Sequence, residues 1–82
     1  MGINITGQRG NWTFGTIGPF SFEIKHFDEP SRFGIDDGRI SKLWLIWKDT
    51  FGCVATFDRG WDKLPGFSEA WEAVDAICTL WN

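Results

Sequence analysis

Apolar and polar residues alternate along most of the chain, and the period changes only near the C-terminus. The segment FSFEIKHF, residues 20–27, begins with an aromatic or branched side chain at every second position, which is typical of a strand with one solvated face. The segment WTFGTI, residues 12–17, is also rich in aromatic and branched residues, and Gly18 and Pro19 separate the two segments. The pattern therefore predicts a β-hairpin.

Two further strands and one long connection follow the hairpin. Residues 28–38, DEPSRFGIDDG, contain a proline, two glycines and four acids and form the longest predicted loop. Residues 39–48 predict a third strand, DTFG a turn, and residues 53–58, CVATFD, a fourth strand, after which RGWDKLPG breaks the pattern. Long loops in compact domains are often functional, and the alternative here is a solvated crossover between strands.

The last segment has a helical period. Its apolar residues recur at steps of three and four, and its acids occupy the other side. The apolar stripe consists of Phe67, Ala70, Trp71, Val74, Ile77, Cys78 and Trp81. Ser68 suits the N-cap, and Glu69 complements the helix dipole. Residues 1–82 are therefore predicted to form one small α+β domain, in which a four-stranded, mostly antiparallel sheet carries one C-terminal helix on one face in the order ββββα.

The third strand is apolar on both faces. Alternate residues point in opposite directions, with Leu43, Leu45 and Trp47 on one face and Ile40, Trp44 and Ile46 on the other. A single helix covers only one face, so Trp44 and Ile46 are predicted to lie on an open face that serves as a partner site or a homodimer seam. The alternative is that the N-terminal segment or the long loop folds over them.

The composition adds aromatic material and argues against one class of partner. Six Trp and eight Phe are a heavy aromatic load for 82 residues. Eight basic and eleven acidic residues give a net charge of −3, whereas proteins that neutralise phosphates carry clustered cations, so direct nucleic-acid binding is not expected. Residues 1–63 carry as many bases as acids, and the excess charge comes from Glu69, Glu72 and Asp75, which give the helix an acidic face.

The sequence predicts neither secretion nor a membrane anchor. The N-terminal residues MGINITGQRG lack the basic start and apolar core of a signal peptide, and no apolar run reaches the roughly 18 residues that a membrane span requires. A cytoplasmic location without a membrane partner is expected. In that compartment Cys53 and Cys78 are expected to be buried, reduced thiols rather than a disulfide.

Signatures of catalysis and of cofactor binding are absent. His26 ends the second strand, where a surface or hydrogen-bonding role is expected, and adjacent acids such as Asp36 and Asp37 usually cap a turn or face water. Neither cysteine has the spacing or the histidine neighbours of a metal site, and no glycine-rich loop with a lysine leads into a helix. We expect a protein that is not an enzyme and has no catalytic residue, metal or cofactor.

Two blocks of the sequence, GIDDGRISKL at residues 34–43 and FDRGWD at residues 57–62, resemble a short, uncharacterised domain family of Gram-positive bacteria, their phages and mobile elements. The block GIDDGRISKL, residues 34–43, is similar to the family's G-I-x-x-G-R-I-S-K-L, and FDRGWD, residues 57–62, is similar to its Y-D-R-G-W-D. The resemblance extends over residues 12–82, although Phe57 stands where the family has Tyr and the third strand is unusually rich in Trp. That family has no established activity, so the resemblance implies a context rather than a chemistry.

Arg39 and Arg59 are the most distinctive polar residues of the two blocks. Each lies at a strand end beside a glycine and is flanked by acids. One interpretation is that each arginine forms salt bridges that hold the adjacent acidic loop or turn. The other is that an arginine fork next to Trp61 binds an anion or stacks on a base.

Two functions of different classes are compatible with these patterns. The first is a protein-binding inhibitor of a host defence nuclease, which resembles anti-CRISPR proteins by analogy of context and uses an acidic loop and an aromatic sheet face in the host cytoplasm. The second is a nucleotide-binding sponge that sequesters a signalling nucleotide by stacking and arginine contacts. The residues expected to contact the partner are Asp28, Glu29, Asp36, Asp37, Arg39, Trp44, Ile46, Arg59 and Trp61.

Overall fold

Six strands and one α-helix make up the protein, of which a computed structural model describes all 82 residues, Met1–Asn82. The elements are, in chain order, β1 (Ile3–Arg9), β2 (Trp12–Ile17), β3 (Phe20–His26), a 3-10 helix (Ile35–Asp37), β4 (Ile40–Trp47), β5 (Cys53–Asp58), β6 (Trp61–Lys63) and α1 (Ser68–Trp81). Each strand pairs antiparallel with the next. The predicted α+β class, with one C-terminal helix on an antiparallel sheet, is confirmed, whereas the predicted number of four strands is wrong.

The two strands that the pattern did not predict are the outer ones, β1 and β6. Only Ile3 and Gly7 of β1 are partly buried, so this strand lacks the apolar alternation of β3. It is held to β2 by a tight turn at Gly10, whose φ of 59° lies in the left-handed region that glycine adopts readily. β6 is three residues long and pairs with β5 after the turn at Arg59 and Gly60. Strands this short or this exposed leave little periodic signal.

The core lies between α1 and one face of the sheet. β3 contributes Phe20, Phe22 and Ile24, none of which is more than 2% exposed. The other buried apolar residues are Ile17, Ile35, Ile40, Leu43, Leu45, Val54, Ala55 and Phe57, with Ala70, Ala73, Val74, Ile77 and Trp81 from α1. Burial of these side chains is the main favourable contribution to the stability of so small a domain.

The start of α1 differs from the prediction. Phe67 is the N-cap, without a side-chain hydrogen bond, and Ser68 is the first helical residue, so the predicted Ser68 cap is wrong. The Phe67 ring instead stacks on Trp47 with centroids 5.7 Å apart, and this contact anchors the first turn. Trp71, predicted to belong to the apolar stripe, is 39% exposed and packs on Trp61 beside the helix.

A β-bulge changes the face on which Ile40 lies. The pairing of β3 with β4 shifts between Lys25 and His26, and Ile40 pairs with His26. The prediction that Ile40 shares a face with Trp44 and Ile46 is therefore wrong. Ile40 is 0% exposed and belongs to the core.

The two cysteines are free and differ in exposure. Cys53 is exposed at the start of β5, and Cys78 is partly buried in α1. The structure contains no disulfide between them, as expected, but the expectation that both thiols are buried is wrong for Cys53. No helix of the protein is both long enough and apolar enough to cross a membrane.

Candidate functional site

The candidate interaction surface is the sheet face opposite α1, which we call the open face. Side chains alternate between the two faces of a strand, so the neighbours of core residues point to this side. Trp44 and Ile46 lie on it, because they alternate with the buried Leu43 and Leu45. The open face consists of Trp12, Phe14, Thr16, Ser21, Glu23, Lys25, Lys42, Trp44, Ile46, Thr56 and Asp58.

A groove of about 420 Å³ lies on the open face. Trp12 of β2 and Trp44 of β4 reach towards each other over β3, with their ring centroids 5.8 Å apart. Phe14 and Ile46 add to the apolar lining, and Glu23 is the one charged residue in it. A mostly apolar concavity with few polar groups is the usual character of a binding site.

The chain itself leaves uncovered the part of the open face that contains Trp44 and Ile46. The N-terminal residues form β1, which extends the sheet beside β2. The long loop lies at one end of the sheet, where the carbonyl oxygen of Ile35 accepts a hydrogen bond from the side chain of Asn82, after the end of α1. The alternative that one of these segments folds over Trp44 and Ile46 is therefore wrong.

A second concavity, which we call the basic pocket, lies at the end of the open face where the long loop begins. It has a volume of about 370 Å³ and is lined by Lys25, Phe27, Ser31, Phe33, Ser41, Lys42 and Arg59. Lys42 forms the single ion pair of the structure, with 3.8 Å between its Nζ and Oδ1 of Asp58. The ammonium of Lys25 lies 5.9 Å from the centroid of Trp12 and so joins the basic pocket to the groove.

Arg39 contacts the helix rather than the neighbouring acids. Its Nε donates a 2.7 Å hydrogen bond to the carbonyl oxygen of Trp81 in the last turn of α1. This carbonyl lacks an intrahelical donor, and the helix dipole favours a cation at this end. The predicted salt bridges between Arg39 and the loop acids are absent, so that interpretation is wrong, although the arginine does hold the loop.

The side-chain amide of Asn82 completes this attachment. Its Oδ1 accepts hydrogen bonds from the backbone N–H groups of Arg39 at 3.0 Å and Ile40 at 3.2 Å. Its Nδ2 donates to the carbonyl oxygen of Ile35 at 2.9 Å. The loop segment before β4 is thus fixed to the end of α1, which in turn fixes where β4 begins.

Arg59 and Trp61 have different surroundings. The Trp61 ring packs edge-on against Phe57 at 5.1 Å and against Trp71 at 5.6 Å, on the helix side. Arg59 lines the basic pocket and forms no ion pair with the acids on either side of it in the sequence. The predicted salt bridges of Arg59 are therefore absent, and Trp61 is not among the residues that line the basic pocket with Arg59.

The acids at the centre of the long loop lie close to α1. Asp36 and Asp37 have φ angles of 52° and 57°, in the left-handed region that Asp tolerates, and they turn the chain towards β4. Burial, and after it the charges of Asp36 and Asp75, raise the pKa of the Cys78 thiol to about 11. Ile35, the neighbour of Asp36, accepts a hydrogen bond from Asn82 after the end of α1, so this part of the loop lies beside α1 and does not line the groove.

His26 belongs to a chain of polar side chains at the end of β3. Gln8 Nε2 donates to Thr13 Oγ1 at 3.2 Å, and Thr13 Oγ1 lies 2.8 Å from His26 Nε2. Burial lowers the pKa of His26 below its ordinary value of 6.5, the charge of Arg39 lowers it further, and Asp28 partly offsets both. The hydrogen-bonding role expected of this histidine is confirmed.

One comparison with known proteins gives a match. Residues 11–82 fit the model of a family described as a domain of unknown function, DUF7678, and this range includes every element except β1. The chain belongs to the DUF7678 family. This agrees with the uncharacterised domain family that the two sequence blocks resemble. No curated protein and no solved structure matches the DUF7678 domain.

The DUF7678 domain brings together only part of the predicted contact set. Trp44 and Ile46 share the open face, and Arg59 lies at its basic end. The other members lie elsewhere, with Arg39 at the end of α1, Trp61 beside α1, Asp36 and Asp37 in the turn before β4, and Asp28 and Glu29 exposed at the start of the long loop. No group of three or more His, Cys, Asp or Glu side chains is arranged to hold a metal ion.

Of the residues that line the two concavities in the DUF7678 domain, only Trp44, Ile46 and Arg59 belong to the predicted contact set; Trp12, Phe14, Lys25 and Lys42 are among those that were not predicted. In the segment WTFGTI the two aromatic residues are the ones that would be expected in the core, yet Thr13 and Gly15 are buried and the aromatic residues lie on the other face. A Cβ on Gly15 would lie 2.7 Å from the Phe22 ring, so that ring fills the space which a larger core residue of β2 would occupy. Strict alternation of residues along β2, with Thr13 and Gly15 on the core face, is the signal that could have placed Trp12 opposite the core.

Proposed function

We propose that this DUF7678 domain is a small, non-enzymatic binding protein whose protein partner docks on the open face. The observation that carries the proposal is the Trp12–Trp44 pair beside an uncovered, mostly apolar groove of about 420 Å³. Aromatic side chains dominate the buried centres of protein interfaces, because they offer a large contact area and lose little conformational entropy on binding.

The charges around the groove define the chemistry of the partner. The groove contains one charged residue, Glu23, whereas Lys25, Lys42 and Arg59 lie together at the adjoining basic end. A partner segment with apolar side chains for the groove and an acidic group for the basic end complements this arrangement. Such complementarity favours one orientation of the partner and speeds association.

More specifically, we propose that the partner is a host defence nuclease and that the protein inhibits it in the cytoplasm of the host cell. The resemblance to proteins of phages and mobile elements supports a defence nuclease as the partner, by analogy of context. The acids of α1 and Asp36 form a second surface on the helix side. One flat interface cannot include both sides of the molecule, so we assign the principal contact to the open face rather than to the acidic loop.

The test is capture of the partner by the tagged protein and two matched variants. Trp44→Lys places a charge in the groove, and Leu80→Lys places the same charge on the outer side of α1, where Leu80 is 55% exposed. We expect both variants to melt cooperatively and only Trp44→Lys to lose the partner. Loss of the partner with both variants, or with neither, contradicts docking on the open face.

A second measurement needs no substitution in the groove. Cys53 is exposed and pairs with Ile46 in the register of the sheet, so it reports on the edge of the groove. A partner on the open face is expected to slow alkylation of Cys53.

If the partner is a defence nuclease, the captured protein must in addition cleave nucleic acid and be inhibited by the DUF7678 domain. A parent that is a dimer by light scattering, beside a monomeric Trp44→Lys variant, would assign the face to a second copy.

A further inference from the structure

The basic pocket concentrates positive charge in an acidic protein. Lys25, Lys42 and Arg59 are three of the eight cations of a chain whose net charge is −3. The one acid in ion-pairing distance is Asp58, whose contact with Lys42 is 3.8 Å long, and the two side chains are 28% and 45% exposed. Exposed pairs of this length are weak, so the fold leaves most of this charge uncompensated.

The cations of the pocket are available to a ligand. The Arg59 guanidinium forms no ion pair within the protein. The Lys25 ammonium lies over aromatic rings, 5.5 Å from the centroid of Phe27 and 5.9 Å from that of Trp12, and has no acidic partner. A guanidinium fork beside two ammonium groups is an arrangement that binds phosphate oxygens by charge-assisted hydrogen bonds.

The backbone of Arg59 supports a binding role. Its φ of 57° lies in the left-handed region, which arginine rarely adopts. Its N–H donates to the Ser41 carbonyl oxygen at 3.0 Å, which fixes the turn against β4 in the wall of the pocket. Strained residues cluster at ligand sites, and here the strained position carries a cation that forms no ion pair in the fold.

The pocket also presents aromatic rings and a hydroxyl group. Phe27 is 41% and Phe33 is 50% exposed. Each ring has a cation over one face, Lys25 over Phe27 at 5.5 Å and the Arg32 guanidinium over Phe33 at 4.9 Å, so the surface for stacking is the rest of each ring. The Ser31 hydroxyl oxygen accepts a hydrogen bond from the Phe33 N–H at 3.1 Å, which leaves the hydroxyl proton free to bind an acceptor. The combination of cations, rings and a donor fits a ligand that has both a phosphate group and a planar base.

We propose that the basic pocket binds a mononucleotide, whose phosphate oxygens contact Arg59, Lys25 and Lys42 and whose base packs on Phe33, the more exposed of the two rings. The volume of about 370 Å³ is within the range of roughly 300–1,000 Å³ that small-ligand sites have. This site adjoins the groove of the open face but shares none of its lining residues. Nucleotide binding is measured on the protein alone, so its failure is distinguishable from a failure of the protein partner to dock on the open face, although an acidic group of that partner would contact the same three cations.

Calorimetric titration at low ionic strength tests the proposal, with AMP, ATP, inorganic pyrophosphate and adenosine as the probes. We expect AMP and ATP to bind, pyrophosphate to bind more weakly than ATP, and adenosine not to bind measurably, because charge provides most of the affinity. Arg59→Gln and Lys25→Gln should each weaken ATP binding about tenfold. Lys48→Gln, which removes the same charge beyond the opposite end of β4, should leave it unchanged.

Phe33→Leu separates recognition of the base from recognition of the phosphate. The ring is half-exposed, so the fold should tolerate the change, which thermal melting checks. We expect AMP binding to weaken about fivefold or more, since stacking of a base on an aromatic ring is lost, while pyrophosphate binding stays the same. Amide NMR shifts on addition of ATP should map to Ser31, Ser41 and Arg59.

Several results would overturn the proposal. The first is the absence of AMP and ATP binding by the parent protein, and the second is an equal loss of affinity with Lys48→Gln. Pyrophosphate binding as tight as that of ATP, unaffected by Phe33→Leu, would reveal an anion site without base recognition. Affinity for single-stranded DNA that rises with its length and exceeds that for ATP would assign the cations to a nucleic-acid backbone instead.

Discussion

The side-chain amide of Asn82 fills the space beside Gly38 in which any other residue would place its Cβ. Gly34 has a similar neighbour, because a Cβ there would meet the carbonyl group of Gly38. Neither glycine has a φ in the left-handed region. Glycine is required at both positions because their neighbours lie too close to leave room for a Cβ. The two glycines therefore allow the long loop to dock on the end of α1, and this docking sets the start of β4.

Replacement of Gly38 by alanine is expected to disrupt this docking. The Cβ displaces Asn82 and the hydrogen bonds it makes with the loop, which should cost about 2 to 4 kcal/mol of unfolding free energy. In a domain of this size the melting temperature should fall by roughly 10 °C or more. Gly66→Ala is the matched control, because no atom lies within 4 Å of a Cβ at Gly66. Equal melting temperatures of the two variants, followed by circular dichroism, would contradict the role of Gly38.

The two arginines of the sequence blocks are expected to differ in their effect on stability. Arg39→Gln removes the charged donor to the Trp81 carbonyl at the end of α1 and should cost about 1 to 2 kcal/mol. Arg59→Gln removes the same charge from a side chain without an ion pair and should change stability by less than about 0.5 kcal/mol. Urea denaturation measures both. A comparable loss for Arg59→Gln would give that guanidinium a structural role and weaken the case for the basic pocket.

The central elements of the fold were predictable because their burial is one-sided. In β3 the buried Phe20, Phe22 and Ile24 alternate with polar residues, and in α1 the buried positions follow the helical period. β1 carries no such signal, since hydrogen bonds to β2 rather than buried side chains define it. The face of Ile40 was not predictable either, because a bulge at the end of the β3–β4 pairing shifts the alternation without leaving a mark in the local sequence.

The site was predictable where it depends on alternation and not where it depends on distant contacts. The position of Trp44 on the open face follows from the period of β4 alone. The partner of Arg39 lies 42 residues away at Trp81, whereas Asp36 and Asp37, the neighbouring acids, turn the chain in left-handed conformations and form no ion pair. A pairing rule based on neighbouring charges therefore selected the wrong partner for this arginine.

The two tryptophans of α1 should contribute unequally to stability. Trp81 is 8% exposed and packs on Phe22 with centroids 5.7 Å apart, so Trp81→Ala should cost about 3 to 5 kcal/mol. Trp71 is 39% exposed and touches Trp61, so Trp71→Ala should cost only roughly 1 to 2 kcal/mol. Far-UV circular dichroism in urea gives both values without interference from the lost indole. Similar losses of unfolding free energy in the two variants would contradict the half-exposed position of Trp71.

The last prediction concerns the response of stability to pH through His26. Its pKa in the folded protein is lowered below the ordinary 6.5, chiefly by burial and then by Arg39, so the unfolded chain binds a proton more readily than the folded one. The contribution of His26 to stability is therefore complete above about pH 6.5 and is lost as the pH falls through that value towards the lowered pKa.

Protonation of the ring also changes the polar chain at the end of β3. The neutral His26 Nε2 can accept the Thr13 hydroxyl proton, whereas a protonated Nε2 must donate to Thr13 Oγ1, which already accepts a hydrogen bond from Gln8. His26→Gln keeps a hydrogen-bonding side chain that cannot titrate. Because the carboxylates are the same in both proteins, a difference between the two pH profiles reports on His26. Between about pH 7.5 and 5.5 the parent should lose more of its melting temperature than His26→Gln does. Parallel pH profiles for the two proteins would mean that His26 titrates alike in the folded and unfolded states.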